Sequence, residues 1–156
     1  MQVKSEAEAQ GFITRAFRDP DFLKSMGLWD FGAACVEAKC VACNRKCGEA
    51  GKVCGTRLAF SKIEAGQRTA CKRAKGEGVP LVHKISDSAV GYKPVDMVAM
   101  WRAWAGFCFV WSCEGVARGY LIHSDAVEAF IEARKGRGSI SEEDAGRMGT
   151  RFEIER

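Results

Sequence analysis

No apolar run in this sequence is long enough to cross a bilayer, so a membrane-spanning chain is not expected. The opening residues, Met1-Gln2-Val3-Lys4-Ser5-Glu6, lack the pattern of a signal peptide, and an intracellular, cytoplasmic location away from membranes follows as an expectation. No internal repeat is visible. Nor is either charge in strong excess: a net charge of +4 permits a polyanionic partner without demanding one. What remains is an ordinary globular composition, 47% hydrophobic and 28% charged over 156 residues. That length suits one domain, 1–156, with a real core. Eight cysteines in an intracellular chain read as metal ligands or buried thiols rather than disulfides.

Residues 5–18 predict a helix, with Ser5 as cap and Phe12, Ile13, Ala16 and Phe17 as its apolar stripe. Asp19-Pro20 ends it. Residues 28–40 suggest a β-hairpin turning at Gly32-Ala33-Ala34, which would set Asp30 opposite Glu37. Ser61 to Lys75 predicts a helix with a Ser61/Glu64 capping box, and 79–85 a strand in which His83 alternates with apolar neighbours. Pro94 can open another helix, with Val95, Val98, Trp101 and Ala105 on one face; Trp101 and Trp104 are then candidate interface anchors or core. The apolar run 106–112 fits a central strand covered on both faces. Ala117 to His123 is the next strand. Ser124 caps a helix that turns Val127, Phe130 and Ile131 inward. A basic, Gly-rich link and a short helix capped by Ser141 complete the chain. The order implies an α/β or α+β fold, a mixed central β-sheet flanked by helices.

Two stretches carry candidate chemistry. In Cys35-Val36-Glu37-Ala38-Lys39-Cys40, alternation places Glu37 and Lys39 on one face and Val36 and Ala38 on the other. An exposed edge strand with a solvated pair is one reading. The other is a site, in which the carboxylate holds a divalent metal and the lysine steadies developing negative charge. Asp30 facing Glu37 would bring two carboxylates about 5 Å apart, an arrangement that a cation between them relieves. Asp21 is the alternative partner. Next comes Cys40-x2-Cys43-x3-Cys47-x6-Cys54, a Gly-rich insertion spanning 40–55 that has no core of its own. Four cysteines so spaced can wrap a structural zinc; an iron–sulfur cluster or unligated thiols are the other readings. Cys35, Cys71, Cys108 and Cys113 are expected to be buried thiols. Arg45, Lys46, Lys52 and Arg57 around the loop offer phosphate contacts or a solvated basic surface.

Asp30, then Glu37-Ala38-Lys39, then Phe60-Ser61-x5-Gln67 on the following helix together resemble the PD-(D/E)XK nuclease superfamily. More narrowly, they resemble Holliday junction resolvases of the RecU and archaeal Hjc kind. Ser25-x-Gly27-x-x-Asp30 is similar to the approach to the family's metal-binding aspartate, and Val36-Glu37-Ala38-Lys39 to its hydrophobic-E-x-K strand. The run from Gly106-Phe107-Cys108-Phe109-Val110 through Tyr120-Leu121-Ile122 and Phe130 to Gly138-Ser139-Ile140 is similar to the RecU tail. The Asp30–Glu37 gap is shorter than the family pattern, the cysteine loop is an insertion, and 78–104 has no counterpart. Asp96 with Glu114 imitates the acidic pair but lacks the lysine.

The resemblance implies a restriction-endonuclease-like fold and metal-dependent hydrolysis of a DNA phosphodiester. Asp30 and Glu37 would hold Mg²⁺ or Mn²⁺, Lys39 would orient water or stabilise charge, and Gln67 would stand near the metal. Glu8, or Glu6, would match the N-terminal helix glutamate. Arg45, Lys46, Arg68, Lys72 and Arg73 would contact phosphates of branched DNA, above all a four-way junction. Paired incisions imply a C₂ homodimer. Two other functions fit the same residues: a nuclease for other branched DNA, and a non-catalytic, zinc-stabilised module that binds nucleic acid or protein.

Overall fold

The computed structural model describes residues 5–28, 33–43, 47, 53–77, 79–82, 98–101, 103–114 and 116–154. In chain order its elements are α1 (Glu6–Ala16), α2 (Pro20–Ser25), β1 (Ala33–Ala42), β2 (Leu58–Ala59), α3 (Ala65–Glu77), β3 (Val79–Val82), β4 (Val98–Trp101), β5 (Ala103–Cys113), β6 (Val116–His123), α4 (Ser124–Ala133), β7 (Ser139–Ile140), α5 (Glu142–Met148) and β8 (Thr150–Ile154). The fold is α+β. Its central sheet has the order β1-β5-β6-β8, with β1 parallel to β5 and the other pairs antiparallel. Two small ribbons, β2–β7 and β3–β4, stand beside it.

The apolar run of β5 is continuous because both of its faces are buried. Phe107, Phe109, Trp111 and Cys113 point to one core, shared with Cys71 and Ala74 of α3, Val127 and Ile131 of α4, and Ala145 of α5. Cys108 and Val110 point to the other, shared with Ala9 and Ile13 of α1, Leu28 and Ile154. Burying Phe107 and Phe109, both fully enclosed, contributes roughly 1.5–3 kcal/mol each. Gly119 on β6 is opposite Phe152 of β8, and the ring lies where a β-carbon would be, 2.3 Å from it. Any larger residue there displaces Phe152.

Local signals set most of the helix ends. The Ser5 hydroxyl accepts the Glu8 N–H at 3.3 Å and starts α1. Asp19 accepts the Asp21 N–H at 2.9 Å and, with Pro20 in the first turn, starts α2. Ser141 and Asp144 form a reciprocal capping box on α5. At α4 the cap is His123 rather than Ser124: its Nδ1 accepts the Asp125 N–H at 3.1 Å.

Three further expectations are corrected. The strand around Glu37 is not the return of a hairpin turning at 32–34, since Ala33 and Ala34 already belong to β1. Its neighbour across Cys35 to Cys40 is the parallel β5, in register from Cys35 opposite Ala105 to Cys40 opposite Val110. Strand, helix and parallel strand, β1–α3–β5, form the crossover that a parallel pair requires. The helix expected from Pro94 is absent at its described end. Val98–Trp101 is a strand paired antiparallel with Val79–Val82, and Ala105 lies in β5. Short apolar runs satisfy either period, and pairing decides between them. Finally, Phe60–Lys62 is a 3₁₀ turn and α3 begins only at Ala65. The Glu64 N–H is accepted by Gln67 Oε1 at 3.3 Å, so the cap lies three residues beyond Ser61. His83, Asp96 and the residues around Pro94 lie outside the described residues. Among the described residues no helix is long and apolar enough to cross a membrane.

Candidate metal centre and the Glu37–Lys39 strand

Parallel pairing brings the C-terminal ends of β1 and β5 to the same end of the sheet. Ala42 is opposite Ser112, and the Cys43 N–H donates to the Ser112 carbonyl at 2.8 Å. This sets Cys43, just past β1, beside Cys113, the last residue of β5. Cys47 and Cys54 join them from the intervening loop. One sulfur from each of Cys43, Cys47, Cys54 and Cys113 lies within 4.8 Å of all the others, and the Cys43 and Cys47 sulfurs are 3.6 Å apart. A tetrahedral thiolate shell with metal–sulfur bonds of about 2.3 Å needs sulfurs about 3.8 Å apart. The four cysteines therefore form a cluster that could hold a metal ion.

Cys40 is not part of it. β1 continues to Ala42, so Cys40 and Cys43, an odd number of residues apart, turn to opposite faces. Cys40 packs with Val36 and Ala38 on the α1 side. There burial, with the carboxylates of Glu6 and Glu8, raises its thiol pKa to about 11. The fourth position belongs to Cys113, which is buried as expected but is not among the metal ligands expected from the sequence. Burial, and then the neighbouring Cys47 and Cys54, push the Cys113 thiol up. Burial likewise raises Cys47. A bound cation acts in the opposite sense and draws coordinated thiols to thiolates.

The cluster is enclosed by groups that the sequence did not single out. Glu142, the first residue of α5, is wholly buried. Its Oε1 accepts the Cys54 N–H at 2.6 Å and Arg118 Nη2 at 2.8 Å. Its Oε2 accepts Arg118 Nε at 2.5 Å and the Tyr120 hydroxyl at 2.6 Å. Arg118 in turn donates to the Cys47 carbonyl at 3.3 Å and to Cys113 Sγ at 3.7 Å. Burial disfavours the Glu142 carboxylate, but the Arg118 and Tyr120 hydrogen bonds and the Cys54 N–H outweigh it and hold its pKa low. Trp111 Nε1 donates to the Thr56 carbonyl at 2.8 Å, fastening the segment that follows Cys54. The one sequence cue was Ser141, which caps α5 and so delivers Glu142 inward.

On the Glu37–Lys39 strand, Glu37 is half-buried and Lys39 is only 3% exposed. The Lys39 ammonium lies 3.5 Å from Glu6 Oε1 on α1. The structure thus brings Glu6 to Lys39. Glu8, the other candidate on α1, is exposed, and its carboxylate adds to the field at Cys40. Asp21 is exposed in the first turn of α2. Asp30, Arg45 and Lys46 lie outside the described residues.

Three of the four basic residues of α3, Arg68, Lys72 and Lys75, are engaged with α4. Arg68 donates through Nε and Nη2 to the two Glu128 oxygens at 2.6 and 2.7 Å. Lys72 lies 3.3 Å from the same carboxylate, and Lys75 pairs with Asp125. The Arg68 hydrogen bonds, against the opposing effect of burial and with help from Lys72, hold the Glu128 carboxyl below its ordinary range. Arg73 is exposed. Gln67 lies in the first turn of α3, where its Oε1 accepts the Glu64 N–H. No family model, no curated protein and no solved structure matches the chain, so what these sites can do rests on their geometry and chemistry.

Proposed function

We propose that the chain is a divalent-metal-dependent endonuclease acting on branched DNA, with the four-way junction as its preferred substrate. The observation that carries this reading is the approach of the α1 carboxylate Glu6 to Lys39, beside Glu37 on the same strand. An acidic helix residue meeting an E-x-K strand is the arrangement that the family resemblance implies. The crossover β1–α3–β5 supports it by placing Gln67 on the helix after that strand. Carboxylate oxygens are the donors that Mg²⁺ or Mn²⁺ prefers. A cation held by Glu37, with Asp30 as the expected second ligand, would activate water and neutralise charge on the transferring phosphate. In this reading Lys39, which pairs with Glu6, would steady the charge that develops on the phosphate oxygens.

The four-cysteine cluster is assigned structural zinc within the same reading. Four soft sulfurs at the spacing of one tetrahedral shell suit a single zinc ion. An iron–sulfur cluster puts several irons and sulfides between its cysteines and needs their sulfurs farther apart. Cys43 directly follows the strand that presents Glu37 and Lys39, so a metal there anchors the end of that strand to β5.

A second reading has its own support. Lys39 is nearly inaccessible and ion-paired, as it would be in a non-catalytic, zinc-stabilised binding module. One assay separates the two: incubation of the protein with a four-way junction, linear duplex, single strand and flap, with Mg²⁺ and with EDTA. Junction cleavage that needs Mg²⁺ supports the nuclease. Binding without cleavage under every condition overturns it in favour of the module. Paired incisions further predict a homodimer, read as a doubled mass by sedimentation with junction DNA; a strictly monomeric complex contradicts junction resolution.

A further inference from the structure

Arg118 and Glu142 form a buried ion pair, and such pairs seldom repay their desolvation through stability alone. Here the pair has a second set of partners. Between them the two side chains reach three of the four cysteine residues: Glu142 holds the Cys54 N–H, and Arg118 holds the Cys47 carbonyl and the Cys113 sulfur. Tyr120 closes the network by donating to Glu142. The side chains come from β6 and α5, neither of which contributes a cysteine to the cluster.

We propose that Arg118 and Glu142 are the outer shell of the metal centre. They position Cys47, Cys54 and Cys113, and set the metal affinity and the electron density on the Cys113 sulfur. The inference rests on the reading of the cluster as a zinc site. Four thiolates around a dication leave a local charge of about −2, since each coordinated thiol is deprotonated. The Arg118 guanidinium, donating directly to Cys113 Sγ, offsets part of that charge. Glu142 keeps the guanidinium in place through its fork of two hydrogen bonds, and it fixes the loop backbone at Cys54 at the same time. Outer-shell groups of this kind are commonly worth a factor of 10–100 in metal affinity. Seating of α5 is thereby coupled to metal binding: α5 must be docked for Glu142 to reach the cysteine loop.

The test uses the full chain with zinc and, separately, with Co²⁺ as a spectroscopic substitute. Zinc affinity is read by competition with a chromogenic chelator for the unaltered protein and for Arg118→Met, Glu142→Gln and Lys75→Met. Lys75 is the control, since its ion pair with Asp125 joins α3 to α4, neither of which carries a cysteine of the cluster. The expected result is a loss of about 10–100-fold for Arg118→Met and Glu142→Gln, with Lys75→Met unchanged. In the Co²⁺ protein, Arg118→Met should move the sulfur-to-metal charge-transfer band to lower energy, because an unbonded thiolate is the better electron donor. A merely structural role would not shift that band. Should Arg118→Met fail to fold, Arg118→Lys, which keeps the charge and loses the fork, decides by the same two readings. Parent-like affinity and an unshifted band in these variants, while the unaltered chain binds one metal, overturn the outer-shell assignment alone. An unaltered chain that binds no metal overturns the zinc reading and this inference with it.

Discussion

Cys113 and Cys40 make opposite predictions about the metal centre, and a pair of single substitutions separates them. Cys113→Ser removes a sulfur from the cluster, whereas Cys40→Ser alters a thiol on the other face of β1. A metal that binds only the folded chain stabilises it according to its excess over the dissociation constant: at a thousandfold excess of free zinc the gain is about 4 kcal/mol. For a domain of this length each kcal/mol moves Tm by roughly 2–4 °C. Chelation should therefore lower Tm by about 8–16 °C. The quantity to compare is the difference in Tm with buffered zinc and with chelator, because it cancels the packing cost that each substitution carries on its own. Cys40→Ser should keep the full zinc-dependent difference and one metal per chain. Cys113→Ser should lose most of both, and Cys43→Ser should behave like it. Differential scanning fluorimetry with metal analysis under reducing conditions provides both readings. If Cys40→Ser loses the metal while Cys113→Ser retains it, the parallel register that sets Cys43 beside Cys113 is not the one this chain adopts.

Glu37→Gln and Lys39→Ala should each lower the rate of Mg²⁺-dependent junction cleavage by a factor of about 10²–10³ while binding in a gel-shift assay stays near that of the parent; full activity in either removes that residue from the site. The Glu128 carboxyl is held below its ordinary value of 4.5, chiefly by Arg68, so its contribution to stability is present above that pH and lost as pH falls through the lowered value; the stability gap between the parent and Glu128→Gln, from urea titrations, should be constant above pH 4.5 and close on further acidification. Gly119→Ala places a methyl where the Phe152 ring already lies and should destabilise by about 1–3 kcal/mol; a denaturation midpoint equal to the parent's would mean that β8 does not pack over Gly119.

Much of the frame was legible along the chain because its causes are local. A Ser hydroxyl three residues before an N–H can cap a helix from within its own first turn, as Ser5 does at α1 and Ser141 at α5, although the same signal at Ser61 did not start α3. An apolar run without alternation can only be a strand covered on both faces or a buried helix, and the run at 106–112 proved to be the former. The pairing of Glu37 with Lys39 on one face follows from alternation alone. Where two periods fit equally, as at Val98 to Trp101, the chain did not discriminate, and antiparallel pairing with Val79–Val82 chose the strand.

The metal centre divides in the same way. That cysteines of the 40–54 stretch gather is written in their density and in the glycines between them. Which cysteines gather is a matter of strand faces and register. β1 runs past Cys40 to Ala42, so Cys40 and Cys43 diverge. β5 lies parallel to β1, so its final residue, Cys113, far away in sequence, arrives beside Cys43. Arg118 and Glu142 are likewise ordinary charged residues in the sequence, on a strand and at the start of a short helix. They became partners of the cysteines through a hydrogen-bond network that closes only when the sheet and α5 are docked, because each of its bonds joins groups from different elements.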